Sequence, residues 1–381
     1  MSTLYLDNAA TTPIRPEVLE AMAPYWTRDF GNPSSHHEVG ERAAHALADA
    51  RARIAAPLGM RTGDVVLVSG GTEANNLAVK GIALGALLRR GARHVGTTPI
   101  EHESILESAD YLARLHGFDV TLVEVDGAGR VDPAAVAAAL RDDTALVSVG
   151  YANNEVGTVQ DVAAIAEVAH ARHVAVHVDA VQAAGWLPLT GLGADAVSIA
   201  GHKLGAPKGT GALAVRGRVP VEPLLHGGGQ ERGRRSGTED VAGAVGLATA
   251  LALAEAERPE AATRVAALRD AFVARVLALV PSARLTGDPV RRLPGTASFT
   301  FEGTSGEAVL LGLERRGVVS SSGSACAAGS DEPSHVLLAM GIAPVIAQTA
   351  VRFTFSHEQR DDLGSVADAV AASVAAVQSG G

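Results

Sequence analysis

Short apolar runs rich in β-branched residues alternate with helix-period segments between about residues 60 and 216 of the chain. The runs are 65–70, 94–99, 119–125, 145–151, 175–180, 196–201 and 211–216. Apolar strands that alternate with helices are typical of a largely parallel sheet covered on both faces. The last two runs are joined too tightly for a helical crossover, so we expect one antiparallel neighbour there. The pattern predicts an α/β fold with a mostly parallel, seven-stranded sheet.

A different arrangement follows residue 243. A long helix rich in Ala and Leu runs toward Pro259, and a second helix is predicted over 260–280. The strand-like runs SFTFEG, VVSSSG and TAVRFTFS, a helix over 306–316 and a last helix from about residue 359 indicate a smaller α+β domain. We therefore predict a large domain over 16–257 and a small domain over 258–381, with residues 1–15 as an arm that packs with the small domain.

Composition and charge exclude several classes of protein. Of the 381 residues, 47% are hydrophobic and 19% charged, a balance that excludes a disordered chain. The net charge of −10 has the wrong sign for gripping nucleic acid directly. The longest uncharged apolar stretch, Val241 to Ala254, is shorter than the ~20 residues that span a bilayer, and the first residues lack the pattern of a secretion signal. We expect a cytoplasmic protein that contacts neither nucleic acid nor membrane.

Lysine chemistry has only three candidates, Lys80, Lys203 and Lys208. Lys203 follows a predicted strand in a glycine-rich turn, where a lysine suits a Schiff base better than a surface role. Lys80 lies in the middle of a predicted helix and Lys208 in a loop, which favours ordinary surface positions for both.

Thiol chemistry has one candidate, Cys326, which also excludes an internal disulfide. Its small, polar neighbours favour an exposed loop and a reactive thiol over a buried apolar position. No second thiol and no HExxH motif occurs, so no metal site is expected. Arg352 lies in an apolar strand and needs an anionic partner, for which a structural salt bridge is favoured and a substrate carboxylate is the alternative.

Further polar positions lie where predicted strands end, which is where open α/β sheets bind ligands. Gly71 and Thr72 begin a helix and suit either a phosphate site or an ordinary turn with Thr72 as the N-cap. Asp179 could pair with a protonated ring nitrogen or could cap the helix that follows. Gln182 could reach the same crevice or could be an ordinary exposed helix residue. His102 suits ring stacking, proton transfer or a structural role.

Taken together, these residues and their neighbours resemble the cysteine desulfurases, pyridoxal-phosphate enzymes of the class V aminotransferase group with fold type I. The resemblance runs from residue 5 to residue 353, and its motifs are YLDNAATTP (5–13), FGNPSS (30–35), SGGTEANN (69–76), IEHES (100–104), NNEVG (153–157), HVDAVQ (177–182), GHKLGAPKG (201–209), HGGGQERGRRSGT (226–238) and SSGSAC (321–326). It implies conversion of L-cysteine to L-alanine, with the sulfur held as a persulfide on an enzyme cysteine.

The resemblance also implies which residues bind pyridoxal phosphate. Those facing the ring and aldehyde would be Lys203 (Schiff base), Asp179 (ring nitrogen), Gln182 (ring hydroxyl), His102 (ring stacking) and Asn154. Those facing the phosphate would be Gly71, Thr72, His202 and Thr238, the last from the neighbouring subunit. The role of Thr238 implies a homodimer with shared active sites.

The resemblance also implies which residues bind the substrate and which accept its sulfur. Asn154 and Arg352 would bind the substrate carboxylate, while Lys203, His102 and Cys326 would carry the catalysis, Cys326 as the sulfur acceptor. The chain departs from the family pattern at Ala200, where relatives often carry serine. Loss of one hydroxyl–phosphate bond, worth on the order of 1 kcal/mol, predicts weaker retention of the cofactor.

Other functions fit parts of the same pattern. Selenocysteine lyase, cysteine sulfinate desulfinase and a small-substrate aminotransferase share the cofactor, whereas a sulfur-assembly scaffold would keep the fold without catalysis. A desulfurase would have as partners L-cysteine, a second copy of the chain and a sulfur-acceptor protein. The acceptor would be an iron–sulfur scaffold, a tRNA thiolation enzyme or a DNA phosphorothioation component.

Overall fold

The computed structural model describes residues 3–323 and 332–379. Its strands are β1 (Leu4–Tyr5), β2 (Val65–Val68), β3 (His94–Thr97), β4 (Asp119–Leu122), β5 (Thr144–Gly150), β6 (Ala175–Asp179), β7 (Ala196–Ala200), β8 (Gly211–Val215), β9 (Ala283–Leu285), β10 (Thr296–Phe301), β11 (Val318–Val319), β12 (Ser321–Ser322) and β13 (Val351–Thr354). Its helices are α1 (Pro16–Met22), α2 (Pro24–Thr27), α3 (Glu38–Ala55), α4 (Gly71–Asn76), α5 (Ile82–Arg90), α6 (Glu103–His116), α7 (Pro133–Ala139), α8 (Val162–His170), α9 (Val241–Leu279), α10 (Gly306–Glu314), α11 (His335–Ala339), α12 (Pro344–Ala347) and α13 (Gly364–Ser379).

The central sheet has seven strands in the order β2-β8-β7-β6-β5-β3-β4. β8 is antiparallel to both of its neighbours, and the other pairs are parallel. Each predicted run therefore forms one strand, and the expected antiparallel neighbour is confirmed. The α/β fold with a mostly parallel sheet is confirmed with it.

Helices cover both faces of this sheet, as its apolar runs require. On β5, Val147 faces the core that α3, α8 and the first half of α9 complete. The adjacent Leu146 faces the opposite core, which α5 and α6 cover. Both faces of one strand are thus buried.

A second, smaller sheet has the order β12-β13-β10-β9, with every pairing antiparallel. Its core is aromatic, with Phe272 of α9 edge-on to Phe299, Phe353 and Phe355. Residues 4–12, here called the N-terminal arm, reach this unit because Leu6 packs in the aromatic core and accepts the backbone N–H of Thr354 at 2.8 Å. β1 pairs in parallel with β11 in a separate two-stranded sheet. The predicted domain limits at 15 and 257 stay a prediction.

The predicted helix break at Pro259 is wrong, because α9 runs as one helix from Val241 to Leu279 with Pro259 inside it. An interior proline removes one helical hydrogen bond and costs about 3 kcal/mol. Here Leu247 and Leu251 on one side pack in the large core, while Val265 and Phe272 on the other pack in the aromatic core. Burial at both ends offsets the cost of the proline.

In the ranges 3–323 and 332–379, no helix is both long and apolar enough to cross a membrane.

Candidate active site

A cavity of about 600 Å³ opens at the carboxyl ends of the parallel strands. It collects nine of the residues proposed from the sequence, namely Gly71, Thr72, His102, Asn154, Asp179, Gln182, His202, Lys203 and Arg352. Thr238 lines a separate cavity of about 170 Å³. Cys326 lies outside the described residues.

Lys203 ends a short 3₁₀ turn, Gly201–Lys203, that follows β7 directly. Its half-buried Nζ donates to the carbonyl oxygens of Ala9 and Ala10 in the N-terminal arm, the latter at 2.8 Å. Lys208 is exposed, as predicted, but it also lines the cavity. Lys80 lies elsewhere: it bonds to Asn76 and packs 4.3 Å from the centre of the Tyr111 ring. Lys203 and Lys208 thus both line the cavity, and Lys203 is the half-buried one of the two.

Asp179 ends β6 and is only 9% exposed. Asn75 Nδ2 donates to its Oδ2 at 2.6 Å, and the backbone N–H of Val181 donates to its Oδ1 at 2.9 Å. A carboxylate held by two donors at this depth suits a protonated ring nitrogen as its further partner. The sequence analysis missed Asn75, although it lies inside the quoted motif at 69–76.

His102 precedes α6, and its Nδ1 accepts the backbone N–H of Ser104 at 3.0 Å. An accepting Nδ1 places the ring proton of a neutral imidazole on Nε2. Ser104 Oγ lies 2.8 Å from the same nitrogen and accepts from Asn75 Nδ2 at 3.0 Å. Two neutral side chains thus link His102 to Asp179.

The end of the cavity suited to a phosphate is formed by the start of α4. Gly70, rather than Thr72, is the N-cap, and no side chain of the described residues caps this first turn. A Cβ on Gly71 would lie 2.9 Å from Val181 Cγ2, so this backbone needs glycine. Burial lowers the pKa of His202 to about 4, helped by the nearby charges of Lys203 and Lys208. An uncapped helix start beside a neutral histidine offers N–H donors to an anion.

Arg352 on β13 is 1% exposed, and its two terminal nitrogens bond to partners within the described part of the chain. Its Nη2 pairs with Asp7 Oδ1 at 2.8 Å, and its Nη1 donates to the carbonyl oxygen of Asn154 at 2.8 Å. The structural salt bridge favoured by the strand alone is therefore present. Among residues 3–323 and 332–379, the buried Nε has no hydrogen-bond partner, which leaves a donor that a carboxylate can satisfy.

The cavity is also lined by residues that the sequence analysis did not propose to bind cofactor or substrate, although several of them lie inside the quoted motifs. Glu101, Asn153 and Gln160 line it, as do Ala9 to Thr11 of the N-terminal arm. Ala200 lines it too, and its methyl group offers no hydrogen bond. The arm contacts the site directly, since Gln182 Nε2 donates to the carbonyl oxygen of Ala9 at 3.1 Å.

These residues fit pyridoxal phosphate: a lysine amine, a buried carboxylate, an uncapped helix start and an unpaired guanidinium N–H share one cavity. The sequence model of the aminotransferase class-V family matches residues 4–362. A "Cysteine desulfurase IscS" from Dictyoglomus turgidum is 42% identical, over 96% of this chain and 93% of the relative.

Two solved structures are similar to this chain over nearly its whole length. A NifS-like protein superposes with a TM-score of 0.88 at 35% identity, covering 99% of this chain and 98% of its own. A structure titled "SspA in complex with cysteine" gives a TM-score of 0.80 at 34% identity, covering 93% of this chain and 99% of its own. The similarity extends over nearly the whole length of each protein.

Proposed function

This chain belongs to the aminotransferase class-V family, and from that premise we propose that it is a pyridoxal-phosphate-dependent cysteine desulfurase. The observation that carries the proposal is the placement of Lys203, Asp179, His102 and Arg352 around one cavity. Relatives named as cysteine desulfurases and a structural neighbour titled as a cysteine complex support the substrate.

Binding of the cofactor divides among three groups of residues. Lys203 would bind the cofactor aldehyde through Nζ, while Asp179 would keep a proton on the ring nitrogen and Gln182 would meet the ring hydroxyl. His102 would stack on the ring, and the N–H groups of the α4 start would hold the phosphate together with Thr72 and His202. When bound, pyridoxal phosphate supplies an electron sink for the α-carbon of the substrate.

Substrate binding would use the two residues that already contact each other, Arg352 and Asn154. The guanidinium would meet the α-carboxylate, and its burial would strengthen that contact. Lys203, once its amine is released by substrate, would accept the α-proton at Nζ. Asp7 would keep its contact with Nη2 of Arg352 throughout.

Sulfur transfer would take place on Cys326. Its thiolate would attack the substrate sulfur, so that a sulfur–sulfur bond forms while the carbon–sulfur bond breaks. The electron pair of the broken bond would stay with carbon, which gains a proton and becomes the methyl group of L-alanine. The persulfide would then pass to an acceptor protein.

Cellular context follows from this chemistry. We place the protein in the cytoplasm, where a single thiol stays reduced, and we infer a homodimer in which Thr238 serves the neighbouring site. The acceptor would be an iron–sulfur scaffold, a tRNA thiolation enzyme or a DNA phosphorothioation component.

Mass spectrometry of the enzyme after L-cysteine without reductant tests the proposal. We expect alanine to form and added sulfur to map to the peptide that contains Cys326. Cys326→Ser should keep the visible spectrum of the bound cofactor but release no sulfide, because a hydroxyl cannot carry persulfide sulfur. Sulfide release by Cys326→Ser at the wild-type rate would favour a simple lyase and overturn the persulfide step.

A further inference from the structure

Glu101 is a buried acid beside the proposed site that none of the roles above uses. It lies in the turn between β3 and α6, immediately before His102, and it is 4% exposed. It lines the same cavity as Asp179. Among residues 3–323 and 332–379, no lysine, arginine or histidine forms an ion pair with it.

The carboxyl group of Glu101 joins the ends of two neighbouring strands. Thr98 Oγ1 lies 2.6 Å from Oε1, and the backbone N–H of Gly150 donates to Oε2 at 2.7 Å. Thr98 follows β3, and Gly150 ends β5 opposite Asp179 of β6. The turn that carries His102 is thereby tied to the strand next to Asp179.

The backbone of Glu101 adds a third tie. His335 Nε2 donates to its carbonyl oxygen at 3.0 Å, and His335 begins α11. The turn before His102 is therefore held from β3, β5 and α11 together.

The surroundings favour the neutral form of this acid. Burial raises the pKa of Glu101 to about 8, and the charge of Asp179 acts in the same direction, against the hydrogen bonds from Thr98 and Gly150. A buried carboxyl group with no cation beside it is more stable in the protonated, neutral form than in the ionised form. Thr98 Oγ1 donates to Oε1 of the ionised carboxyl, and Oε2 accepts from Gly150. In the neutral form the proton would lie on Oε1, and the Thr98 hydroxyl, which can donate or accept, would turn to accept it.

We propose that Glu101 is a positioning residue that acts as a neutral hydrogen-bonding clamp, fixing the β3–α6 turn so that His102 keeps its place over the cofactor ring. The inference rests on the proposed function, since it takes His102 to face pyridoxal phosphate. Like a side-chain amide, a neutral carboxyl group offers one acceptor, here for Gly150, and one donor, here for Thr98.

Two substitutions at Glu101 separate charge from hydrogen bonding. In the holoenzyme, Glu101→Ala should lower kcat about tenfold or more, since a small misplacement of a catalytic group has an effect of that size. It should also change the visible circular dichroism of the bound cofactor, which reports how the ring is held. Glu101→Gln, which keeps an acceptor and a donor, should rescue the dichroism and return kcat to within about fivefold of wild type.

Adjacent threonines provide a matched pair that leaves Glu101 in place. Thr98→Val removes the hydroxyl at Oε1 and should shift the dichroism in the direction of Glu101→Ala. Thr97 is also buried, but its hydroxyl donates to the carbonyl oxygen of Ser148 at 2.9 Å and not to Glu101. Thr97→Val should leave the dichroism as in wild type, and this pair decides the matter if Glu101→Ala does not fold.

Three results would overturn the inference: Glu101→Gln behaving like Glu101→Ala, Glu101→Ala keeping wild-type dichroism and kcat, or Thr98→Val matching Thr97→Val. A wild-type chain that holds no cofactor or leaves L-cysteine unchanged would instead contradict the proposed function. The two failures are distinct, because every variant is compared with a wild-type holoenzyme of measured spectrum.

Discussion

Asn75 shows how one neutral side chain sets the hydrogen-bond pattern of the candidate site. It is 2% exposed and gives both amide hydrogens away, one to Asp179 and one to Ser104. Because the carboxylate orients the amide, the amide in turn orients the Ser104 hydroxyl toward His102. The position of a histidine on one side of the cavity thus depends on a carboxylate on another.

Lys203 is the residue at which the proposed function is most directly tested. Lys203→Ala should fold but lose the covalent cofactor, its visible absorbance and turnover, because Lys80 and Lys208 cannot replace the amine. Borohydride reduction followed by peptide mapping measures the attachment site in the wild-type enzyme. Lys80→Ala is the matched control, since its amine bonds to Asn76 outside the cavity. A label on Lys80 or Lys208 would contradict the assignment.

Glu101 also predicts how stability depends on pH. The pKa of this carboxyl is about 8 in the folded chain, against an ordinary 4.5. Between these values the folded chain keeps a proton that the unfolded chain releases, so the contribution of Glu101 to the free energy of unfolding falls as pH rises. Glu101→Gln does not titrate, so its stability relative to wild type should grow across this window by up to ~1.4 kcal/mol per pH unit.

Urea unfolding of both holoenzymes at about pH 5, 6.5 and 8 measures that difference. A constant difference between the two proteins at all three pH values would show that Glu101 is ionised in the folded state.

The sequence indicated which side chains meet in the candidate cavity better than it indicated their contacts. Lys203, Asp179 and His102 could be chosen because each follows a strand in a familiar motif, and the fold brings such ends together. Glu101 and Asn75 were missed because each contributes to the candidate site through a hydrogen bond to a residue far away in the sequence. Glu101 bonds to Gly150, and Asn75 bonds to Asp179. Spacing along the chain carries no information about such pairs.

At the scale of elements, α9 shows a local rule overridden by packing. Proline usually ends a helix, and the sequence analysis placed a break at Pro259 for that reason. The helix continues because each half has its own core to cover, one aliphatic and one aromatic. The strands of the central sheet were predicted correctly because a strand that is buried on both faces forms an unbroken apolar run in the sequence.

Replacing the proline should therefore stabilise the protein. Pro259→Ala restores one helical hydrogen bond, and the loss of proline's restraint on the unfolded chain offsets only part of the gain. We expect the free energy of unfolding to rise by about 1–2 kcal/mol, with unchanged turnover.

Pro344 provides the matched control, because it occupies the first turn of α12, where proline is favoured. Pro344→Ala should leave stability unchanged or lower it. Denaturant unfolding measures both variants, and a loss of stability in Pro259→Ala would mean that the helix needs its proline.

At the scale of the whole molecule, the cavity is shared among the arm and two sheets. Arg352 comes from the small sheet, Asp179 and Lys203 come from the large one, and the arm lies between them through Asp7 and Ala9. Neither sheet alone carries a complete set of the residues proposed for substrate and cofactor.

A homodimer is the prediction at this scale. Thr238 lies in a loop that Arg235 ties to Glu73 of α4 at 2.9 Å, outside the cavity of its own subunit. If it serves the neighbour's phosphate, Thr238→Val should leave the dimer intact while cofactor is lost faster during gel filtration. Light scattering and cofactor absorbance measure the two quantities on one sample. A fully active wild-type monomer would rule the idea out.

The N-terminal arm has a consequence for synthesis on the ribosome. Its strand, Leu4–Tyr5, pairs with Val318–Val319, and Asp7 contacts Arg352. At ~5–20 residues per second, translation needs roughly 15–60 s to reach residue 318 after the arm has emerged. The arm thus waits for strands that are made much later, and the Arg352 guanidinium meets the Asp7 carboxylate only after residue 352 has been translated. The large sheet can therefore be made long before the candidate site has all its residues.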